Sequence, residues 1–346
     1  MKNQEKKDAA VQSTMKELNK KYGDDSIIEG GNIVVEATPT GCLSLDWVMG
    51  CGGFPRGRIV EIYGQESSGK TTMSLFFAAQ VQKRGGKVFW IDAEQCWDSE
   101  YARKIGVDTD SLILHRPMSG EEGFDALEKM IKTNEIDLIV VDSVAALVPQ
   151  DELDGEIADK SIALQARLMS KGLRMITGIL AKTKTSVIFI NQLRDKIGVQ
   201  WGTPTTTTGG KALKFYASIR LAVKKGDKII SSNKDVIGNS LKIKVEKNKV
   251  GLPFRETELE LFFYKGLDLV GDLVNFGIKN NVISKTGSTY FYHDVKLGVG
   301  KDKVKEYLEG DEEVLNLIRE EITKTVNEVP GAVGASVEGT SEEPEK

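Results

Sequence analysis

The chain has 346 residues, 40% of them hydrophobic, and a formal net charge of −4. This length predicts one large domain, or a core with appendages, around a substantial buried core. No apolar run reaches the roughly 18 residues of a membrane-spanning helix, and the polar start MKNQEKKDAA does not resemble a signal segment. We therefore expect a soluble, cytoplasmic protein with no membrane partner. The net charge alone gives no argument for binding nucleic acid.

The N-terminal segment predicts a basic amphipathic helix. Residues 1–21 hold six lysines against three acidic residues, a net +3. Its apolar positions follow at i, i+4, i+7 and i+11, and they are Val11, Met15, Leu18 and Tyr22. Because an isolated helix is only marginally stable, it must dock on its own protein body or on a neighbouring subunit. We delimit this arm as residues 1–35.

From about residue 58, short apolar runs alternate with helical segments. The expected strands are RIVEIYG, KVFWIDAE, SLILHR, DLIVVDS and TSVIFINQ, with helices near 70–84, 120–133 and 160–181. Such runs joined by helices are typical of a parallel sheet covered on both faces. SIRLAVKK, SLKIKVEKN and TELELFFY then follow without helices between them and predict an antiparallel extension of the same sheet. The fold class is therefore α/β, with a mostly parallel central sheet.

The end of the chain predicts two further parts. Residues 268–328 show a small pattern of helix, hairpin and helix, which we interpret as a small α+β domain after a core of residues 36–267. Residues 329–346 hold four glutamates against one lysine, a net −3, and too few large apolar side chains to fold. We expect this segment to be an acidic disordered tail.

The three cysteines, Cys42, Cys51 and Cys96, are scattered and lack zinc-type spacing, so we expect reduced, buried thiols. His115 and His293 are the only histidines in the sequence. A histidine-based metal site is therefore not expected.

The segment GQESSGKTT fits the phosphate-loop pattern GxxxxGK[ST], and it lies between a predicted strand and an apolar helix, as that pattern requires. Gly64 and Gly69 permit a tight loop whose amides point at phosphate oxygens. Lys70 supplies a positive charge for the phosphates of ATP, and Thr71 offers a hydroxyl to Mg²⁺. The candidate nucleotide-binding residues are Gly64, Gln65, Glu66, Ser67, Ser68, Gly69, Lys70, Thr71 and Thr72.

Polar side chains end three of the predicted buried strands. Asp142 ends DLIVVD at the sheet edge where ligands of α/β proteins gather, and it suits a position beside Mg²⁺. Glu94 follows Asp92 in KVFWIDAE and could orient and deprotonate a water that attacks ATP. Each could instead be a cap, and Glu94 a surface ion-pair partner. Gln192 ends TSVIFINQ and could sense the γ-phosphate, although a glutamine there is most often only a polar strand end.

The stretch IGVQWGTPTTTTGG, from residue 197, follows that strand directly. Its glycines, proline and threonines oppose a helix, and it lacks the alternation of a half-buried strand. We expect a long loop, which in a compact domain is usually either functional or disordered.

Six blocks, in the same order and spacing, closely resemble the bacterial RecA recombinase family. They are GQESSGKTT, FWIDAE, DLIVVDSVAALVP, IFINQLRDKIGV, TTTGGKALKFYAS and VEKNKVGLPF. The resemblance covers about residues 1–328. It implies a P-loop RecA-like core and a DNA-dependent ATPase that forms helical filaments on single-stranded DNA, captures duplex DNA and exchanges strands. It also implies a role in recombinational repair and in the DNA-damage response, through self-cleavage of LexA-type repressors.

The resemblance assigns roles at the ATP site. Lys70 would bind phosphate, Thr71 and Asp142 would serve Mg²⁺, Glu94 would activate water, and Gln192 would couple the γ-phosphate to the loop that follows.

Four further positions match nucleotide contacts of the family. Asp98 and Tyr101 match its adenine-binding positions, with Tyr101 lying on the base. Lys247 and Lys249 match lysines that reach the ATP of the adjacent subunit. The active site would then be complete only in a homo-oligomeric filament.

Two loops match the DNA-binding loops of the family, about 151–168 and the stretch from 197. The implied DNA-binding residues of the first loop and its helix are Ile162, Arg167, Ser170 and Arg174. Those of the second are Arg194, Lys196, Ile197, Gly198, Trp201, Gly209 and Gly210, with Ile197 wedging between base triplets. The chain departs from the usual family residues at Gln95, Ile162, Trp201, Thr203 and Thr205. Contacts would be mostly to the DNA backbone, so binding should be sequence-tolerant and salt-sensitive.

Three other functions compete with this interpretation. A P-loop nucleotide kinase should have an arginine-rich lid and no carboxylate at position 94. An ATP-gated DNA-binding scaffold with incidental hydrolysis is poorly distinguished by sequence. A hexameric RecA-like motor is disfavoured, because no helicase domain is attached to the core.

Overall fold

The computed structural model describes residues 2–23, 26–27, 35–156, 163–195 and 205–327. It divides into two compact units, Met1–Val35 and Glu36–Lys346. The first unit contains the predicted helix, α1 (Lys2–Tyr22). The carboxamide oxygen of Asn19 accepts hydrogen bonds from the Ile27 amide and the Ser26 hydroxyl, both at 2.8 Å. These bonds tie the chain after the helix back to its last turn.

The second unit contains a large sheet and two smaller ones. Its strands are β1 (Ala37–Thr38), β2 (Phe54–Pro55), β3 (Ile59–Gly64), β4 (Val88–Asp92), β5 (Ile113–His115), β6 (Leu138–Asp142), β7 (Ser186–Asp195), β8 (Thr205–Thr207), β9 (Ile219–Ile230), β10 (Val236–Asn248), β11 (Glu256–Phe262), β12 (Gly266–Leu267), β13 (Ile283–Thr286), β14 (Thr289–Tyr292) and β15 (Val295–Val299). Its helices are α2 (Leu43–Met49), α3 (Lys70–Lys83), α4 (Ser99–Ile105), α5 (Gly120–Thr133), α6 (Gln150–Leu153), α7 (Leu164–Leu180), α8 (Ala212–Tyr216), α9 (Leu269–Lys279), α10 (Lys301–Gly310) and α11 (Glu312–Asn327), with a 3₁₀ turn at Val144–Ala146.

Within the described residues, the sheet order is β12-β11-β10-β9-β3-β7-β6-β4-β5, with β8 paired to β7. The strands from β9 to β5 are parallel to one another, and β10, β11 and β12 add in antiparallel fashion. The α/β class and the antiparallel extension are therefore confirmed. One detail differs from the prediction. The run SIRLAVKK is predicted to belong to the antiparallel extension, but it forms β9, which is parallel to β3. The short helix α8 intervenes after β8 and returns the chain to the end from which β9 enters the sheet.

Hydrophobic clusters cover both faces of the sheet, as the continuous apolar runs predicted. On one face Ile62 and Trp90 pack with side chains of α3 such as Phe77. On the other face Phe189 packs with side chains of α5 and α7, among them Leu127. This packing fixes the carboxyl ends of the parallel strands relative to the start of α3.

Residues after β12 form a second small core. The expected hairpin is a three-stranded antiparallel sheet, β13-β14-β15, and the last helix is a pair, α10 and α11. The single last helix that the sequence predicts is divided in two, because α10 ends at Gly310 and α11 begins at Glu312. Trp47 of α2 packs on Phe276 of α9 with ring centroids 5.7 Å apart. The small domain is thus attached to the core through these two helices.

The cysteine prediction holds for two of three thiols. Cys42 and Cys51 are buried, and burial raises the pKa of Cys51 to about 12. Cys96 is exposed, contrary to expectation, because it lies in the loop that follows β4 rather than in the strand. Among the helices of the described part of the chain, none combines the length and apolar character needed to cross a membrane.

Candidate nucleotide-binding site and DNA interface

The phosphate loop joins β3 to α3. Gly64 ends the strand, and a Cβ built there would lie 2.2 Å from the backbone carbonyl oxygen of Val223 in the adjacent strand β9. Gly69 precedes the first residue of α3 with φ of 84°, in the left-handed region that favours glycine. Both glycines are therefore required by the path of the backbone.

Lys70 lies over this loop. Its ammonium donates to the carbonyl oxygens of Gln65 at 2.7 Å and Gly64 at 3.3 Å. Burial lowers the pKa of Lys70, and the carboxylates of Asp142, Glu94 and Glu66 oppose this shift.

The loop also carries a buried hydroxyl that is free to bind a ligand. The Ser68 Oγ atom is buried and makes no hydrogen bond within the structure. A cation beside an unsatisfied donor, at the N-terminus of a helix, fits the phosphates of a nucleotide.

The two residues predicted to serve Mg²⁺, Thr71 and Asp142, are in direct contact. The hydroxyl of Thr71 donates to Asp142 Oδ2 at 2.8 Å. Burial, together with the charges of Glu94 and Asp92, raises the pKa of Asp142 to about 7, although the hydrogen bond from Thr71 opposes this shift. A hydroxyl beside a carboxylate is a suitable protein contribution for a metal that takes its other ligands from phosphate and water.

Glu94 is held by residues of two other chain segments, one directly after β6 and one within β7. Its Oε1 atom accepts hydrogen bonds from the hydroxyl of Ser143, just after β6, and from the amide of Gln192 in β7 at 3.1 Å. The side chain is exposed at the carboxyl edge of the sheet. Ser143 was not singled out from the sequence, although its position directly after Asp142 placed it at the same edge.

Asp92 has a different environment from Glu94. It is 2% exposed, accepts from the amides of Cys96 at 3.1 Å and Trp97 at 3.0 Å, and pairs with Arg116 at 3.3 Å. We conclude that Asp92 fixes the loop after β4.

The predicted adenine-binding pair lies at the start of α4. Asp98 caps the helix by accepting from the amide of Tyr101 at 3.0 Å. The hydroxyl of Tyr101 lies 2.8 Å from that of Thr72. The tyrosine is therefore joined to the first turn of α3, directly after the phosphate loop.

Lys247 lies near the end of β10, and Lys249 directly follows that strand. Lys247 donates to the carbonyls of Lys214 at 2.6 Å and Phe215 at 2.9 Å, and Lys249 donates to Phe215 at 2.9 Å. Burial lowers the pKa of Lys247 to about 8, helped by the charges of Lys249 and Arg220. The structure thus groups these lysines around α8.

The first DNA-binding loop leads into α7. Arg167 and Arg174 are exposed on this helix, and Ser170 is half-buried between them. Lys171, which the sequence reasoning missed, is exposed beside Arg167 and Arg174 at helical spacing. Arg167, Lys171 and Arg174 form one basic stripe on α7. Ile162 lies outside the described residues.

The second loop begins and ends on paired strands. Arg194 is exposed at the end of β7 and pairs in register with Thr206 of β8. Gly209 and Gly210 follow with φ of 75° and 76°, and a Cβ on Gly209 would lie 2.9 Å from Val144. The predicted residues that lie outside the described part of the chain are Lys196, Ile197, Gly198 and Trp201.

Two family models cover most of the chain. The RecA N-terminal domain matches residues 9–268, and the RecA C-terminal domain matches residues 271–327. The chain belongs to the RecA family. As a RecA-family member it is a recombinase and a DNA-dependent ATPase that uses ATP with Mg²⁺, binds DNA and forms homo-oligomeric filaments.

Individual relatives agree with this assignment along nearly the whole chain. The RecA protein of Mycoplasma mycoides subsp. mycoides SC is 48% identical over 321 residues, 92% of this chain and 93% of its own. That of Clostridium beijerinckii is 46% identical over 338 residues, 96% of this chain and 93% of its own. That of Thermus thermophilus is 46% identical over 333 residues, 95% of this chain and 98% of its own.

Proposed function

We propose that this RecA-family ATPase hydrolyses ATP at the carboxyl edge of its sheet, with Glu94 as the base that activates water. The observation that carries the proposal is the hydrogen bond between Gln192 and Glu94, at 3.1 Å, beside the phosphate loop. A carboxylate at this position can take a proton from the attacking water, whereas a phosphotransferase must keep water away from the γ-phosphate.

The roles of the side chains follow from their positions. Backbone amides of the loop, Ser68 and Lys70 hold and neutralise the phosphates. Mg²⁺, when bound by Thr71 with Asp142 in support, supplies charge neutralisation on the phosphate oxygens. Two donors occupy Glu94 Oε1, so we assign Oε2 as the atom that takes the proton from water.

Gln192 is assigned the coupling role. Its backbone belongs to β7, which continues into the second DNA loop, and its side chain contacts Glu94. A contact between the γ-phosphate and Gln192 would compete with that bond and change the position of the strand end. DNA bound by Arg167, Ser170, Arg174 and the second loop would then favour one of the two arrangements.

We further propose that the filament completes the site. Lys247 and Lys249 lie beside α8 and are assigned to the ATP of the adjacent subunit, as the family pattern implies. We assign the arm 1–35 to contacts between subunits, 36–267 to catalysis and DNA binding, 268–328 to the small domain and 329–346 to the acidic tail. The proposed setting is the cytoplasm, where the filament exchanges DNA strands and stimulates self-cleavage of LexA-type repressors.

The test combines hydrolysis with strand exchange. ATP hydrolysis is measured with and without single-stranded DNA, and pairing of a homologous labelled duplex is followed by gel shift. We expect DNA to stimulate hydrolysis and pairing to require ATP. Two variants provide a matched comparison, because Arg174→Ala removes a basic side chain from the stripe on α7 and Lys83→Ala removes one from the far end of α3.

Arg174→Ala should weaken single-stranded DNA binding and lower the slope of log affinity against log salt by about 0.7, the contribution of one phosphate contact. Lys83→Ala should leave both unchanged. Hydrolysis indifferent to DNA, in protein that binds ATP, would contradict the proposed coupling.

A further inference from the structure

A buried ion pair lies next to β7, the strand that carries Gln192 and that we call the sensor strand. Glu61 of β3 is 0% exposed, and the side chain of Arg220 in β9 is 13% exposed. The two residues are register partners, and Arg220 Nε donates to Glu61 Oε2. The guanidinium also stacks on the Tyr63 ring, 4.4 Å from its centroid. Burying a charge pair is expensive, so such pairs are weak evidence for stability and invite a search for another role.

The second carboxylate oxygen of Glu61 fixes an asparagine. Glu61 Oε1 accepts from the side-chain amide nitrogen of Asn191 at 2.9 Å. Asn191 is fully buried and directly precedes Gln192. A carboxylate can only accept, so Glu61 dictates that the NH₂ side of the amide faces it and that the oxygen faces away.

That orientation ties the sensor strand to the end of the second DNA loop. The amide nitrogen of Asn191 also donates to the Thr208 carbonyl at 3.2 Å. Its oxygen accepts from the Thr208 hydroxyl at 2.6 Å and from the Gln192 backbone amide at 2.9 Å. One buried side chain therefore bonds to the backbone of the residue that contacts Glu94 and to the segment where the loop rejoins the core.

We infer that Glu61 is a positioning residue for DNA-dependent hydrolysis: it orients Asn191 so that movement of the second DNA loop at Thr208 is transmitted to Gln192 and Glu94. This inference rests on the proposed function, because it gives a path for the coupling assigned to Gln192. The same ion pair also lies beside Lys247, since Arg220 pairs in register with it. Lys247 is one of the two lysines assigned above to the ATP of the adjacent subunit.

The first variant is Glu61→Gln. Glutamine has one acceptor oxygen where both Arg220 and Asn191 donate, so one of the two bonds is lost. The readout is the ratio of ATP hydrolysis rates with and without single-stranded DNA, together with the KM for ATP. We expect the ratio to fall about tenfold, within the range of coupling effects between sites, with KM changed less than about twofold.

The matched control is Asp268→Asn. Asp268 and Lys305 form an ion pair at 2.7 Å with exposures of 2% and 14%, close to those of Glu61 and Arg220, in the attachment of the small domain. A general effect of disturbing a buried pair would lower the ratio in both variants. The inference requires that Asp268→Asn keep the wild-type ratio.

A double variant tests the path. If Glu61 acts through Asn191 and Gln192, Glu61→Gln should cause no further loss of stimulation in a Gln192→Ala background, because effects in one pathway are not additive. A full additional loss overturns the inference, as does an unchanged ratio in folded Glu61→Gln. If Glu61→Gln does not fold, Thr208→Val takes its place, because it removes the hydroxyl that is bonded to Asn191. The same fall in the ratio is expected of Thr208→Val, and an unchanged ratio would again overturn the inference. A wild-type protein without DNA stimulation would instead refute the proposed function itself.

Discussion

The replacement Glu94→Gln separates chemistry from binding. A glutamine retains an oxygen where Ser143 and Gln192 donate to Glu94 Oε1, so both hydrogen bonds can persist. What is lost is the capacity to take a proton. Removal of a general base usually slows a reaction about 10²- to 10⁴-fold, which is about 3–5 kcal/mol of transition-state stabilisation. Because Glu94 is exposed, the free energy of unfolding should change by about 0.5 kcal/mol or less.

The assay is single-turnover ATP hydrolysis with single-stranded DNA present, alongside DNA binding in a non-hydrolysable ATP analogue. We expect hydrolysis to fall by the stated factor while ATP affinity and DNA binding stay within about twofold of wild type. Ser143→Ala is the control, because it removes a donor to Glu94 and leaves the carboxylate; its rate should stay within about tenfold of wild type. A Glu94→Gln variant that keeps more than about a tenth of the wild-type rate would refute the role of Glu94 as the base.

Three further predictions concern the fold and the nucleotide. Gly64→Ala would place a methyl group 2.2 Å from the Val223 carbonyl and should destabilise the protein by about 3 kcal/mol in thermal unfolding, whereas Gly178→Ala, with no atom within 4 Å, should not destabilise it. Burial raises the pKa of Asp272 to about 6, so the folded state holds the extra proton between about pH 4 and pH 6 and loses this stabilisation as pH rises. Melting curves of Asp272→Asn should therefore show the variant gaining stability relative to wild type from pH 4 to pH 7; a constant difference would contradict the assignment. Tyr101→Phe should change the KM for ATP by no more than about fivefold, because only one hydrogen bond is lost. Tyr101→Ala should raise the KM above that of Tyr101→Phe, because stacking on the base is also lost. Measuring the KM for ATP of both variants checks this prediction.

The sequence predicted those features that local patterns specify. The phosphate loop, five of the six parallel strands and the acidic strand end at Asp142 follow from hydrophobic periodicity and from glycine and lysine at fixed spacing. The contact between Thr71 and Asp142 joins residues 71 positions apart, but both were placed by their strand and helix ends at one edge of the sheet. Parallel topology brings such ends together without any further information.

Side-chain partners across the sheet could not be predicted in the same way. Gln192 and Glu94 are 98 positions apart, and which of several polar strand ends touch depends on strand order. The sequence does indicate that Glu61 has a partner, because a charged residue inside the apolar run RIVEIYG requires a buried partner. Its partner, Arg220, is identified only once β9 is known to lie beside β3.

The two outer strands of the described sheet are very short. β12 has two residues and β5 has three, so each outermost strand itself offers few unpaired backbone groups to another chain. A protein that must polymerise is exposed to a particular hazard, because a long bare strand edge would recruit further copies by hydrogen bonding in any register and lead to amyloid-like aggregates. Very short outer strands protect against this aggregation by edge-to-edge pairing.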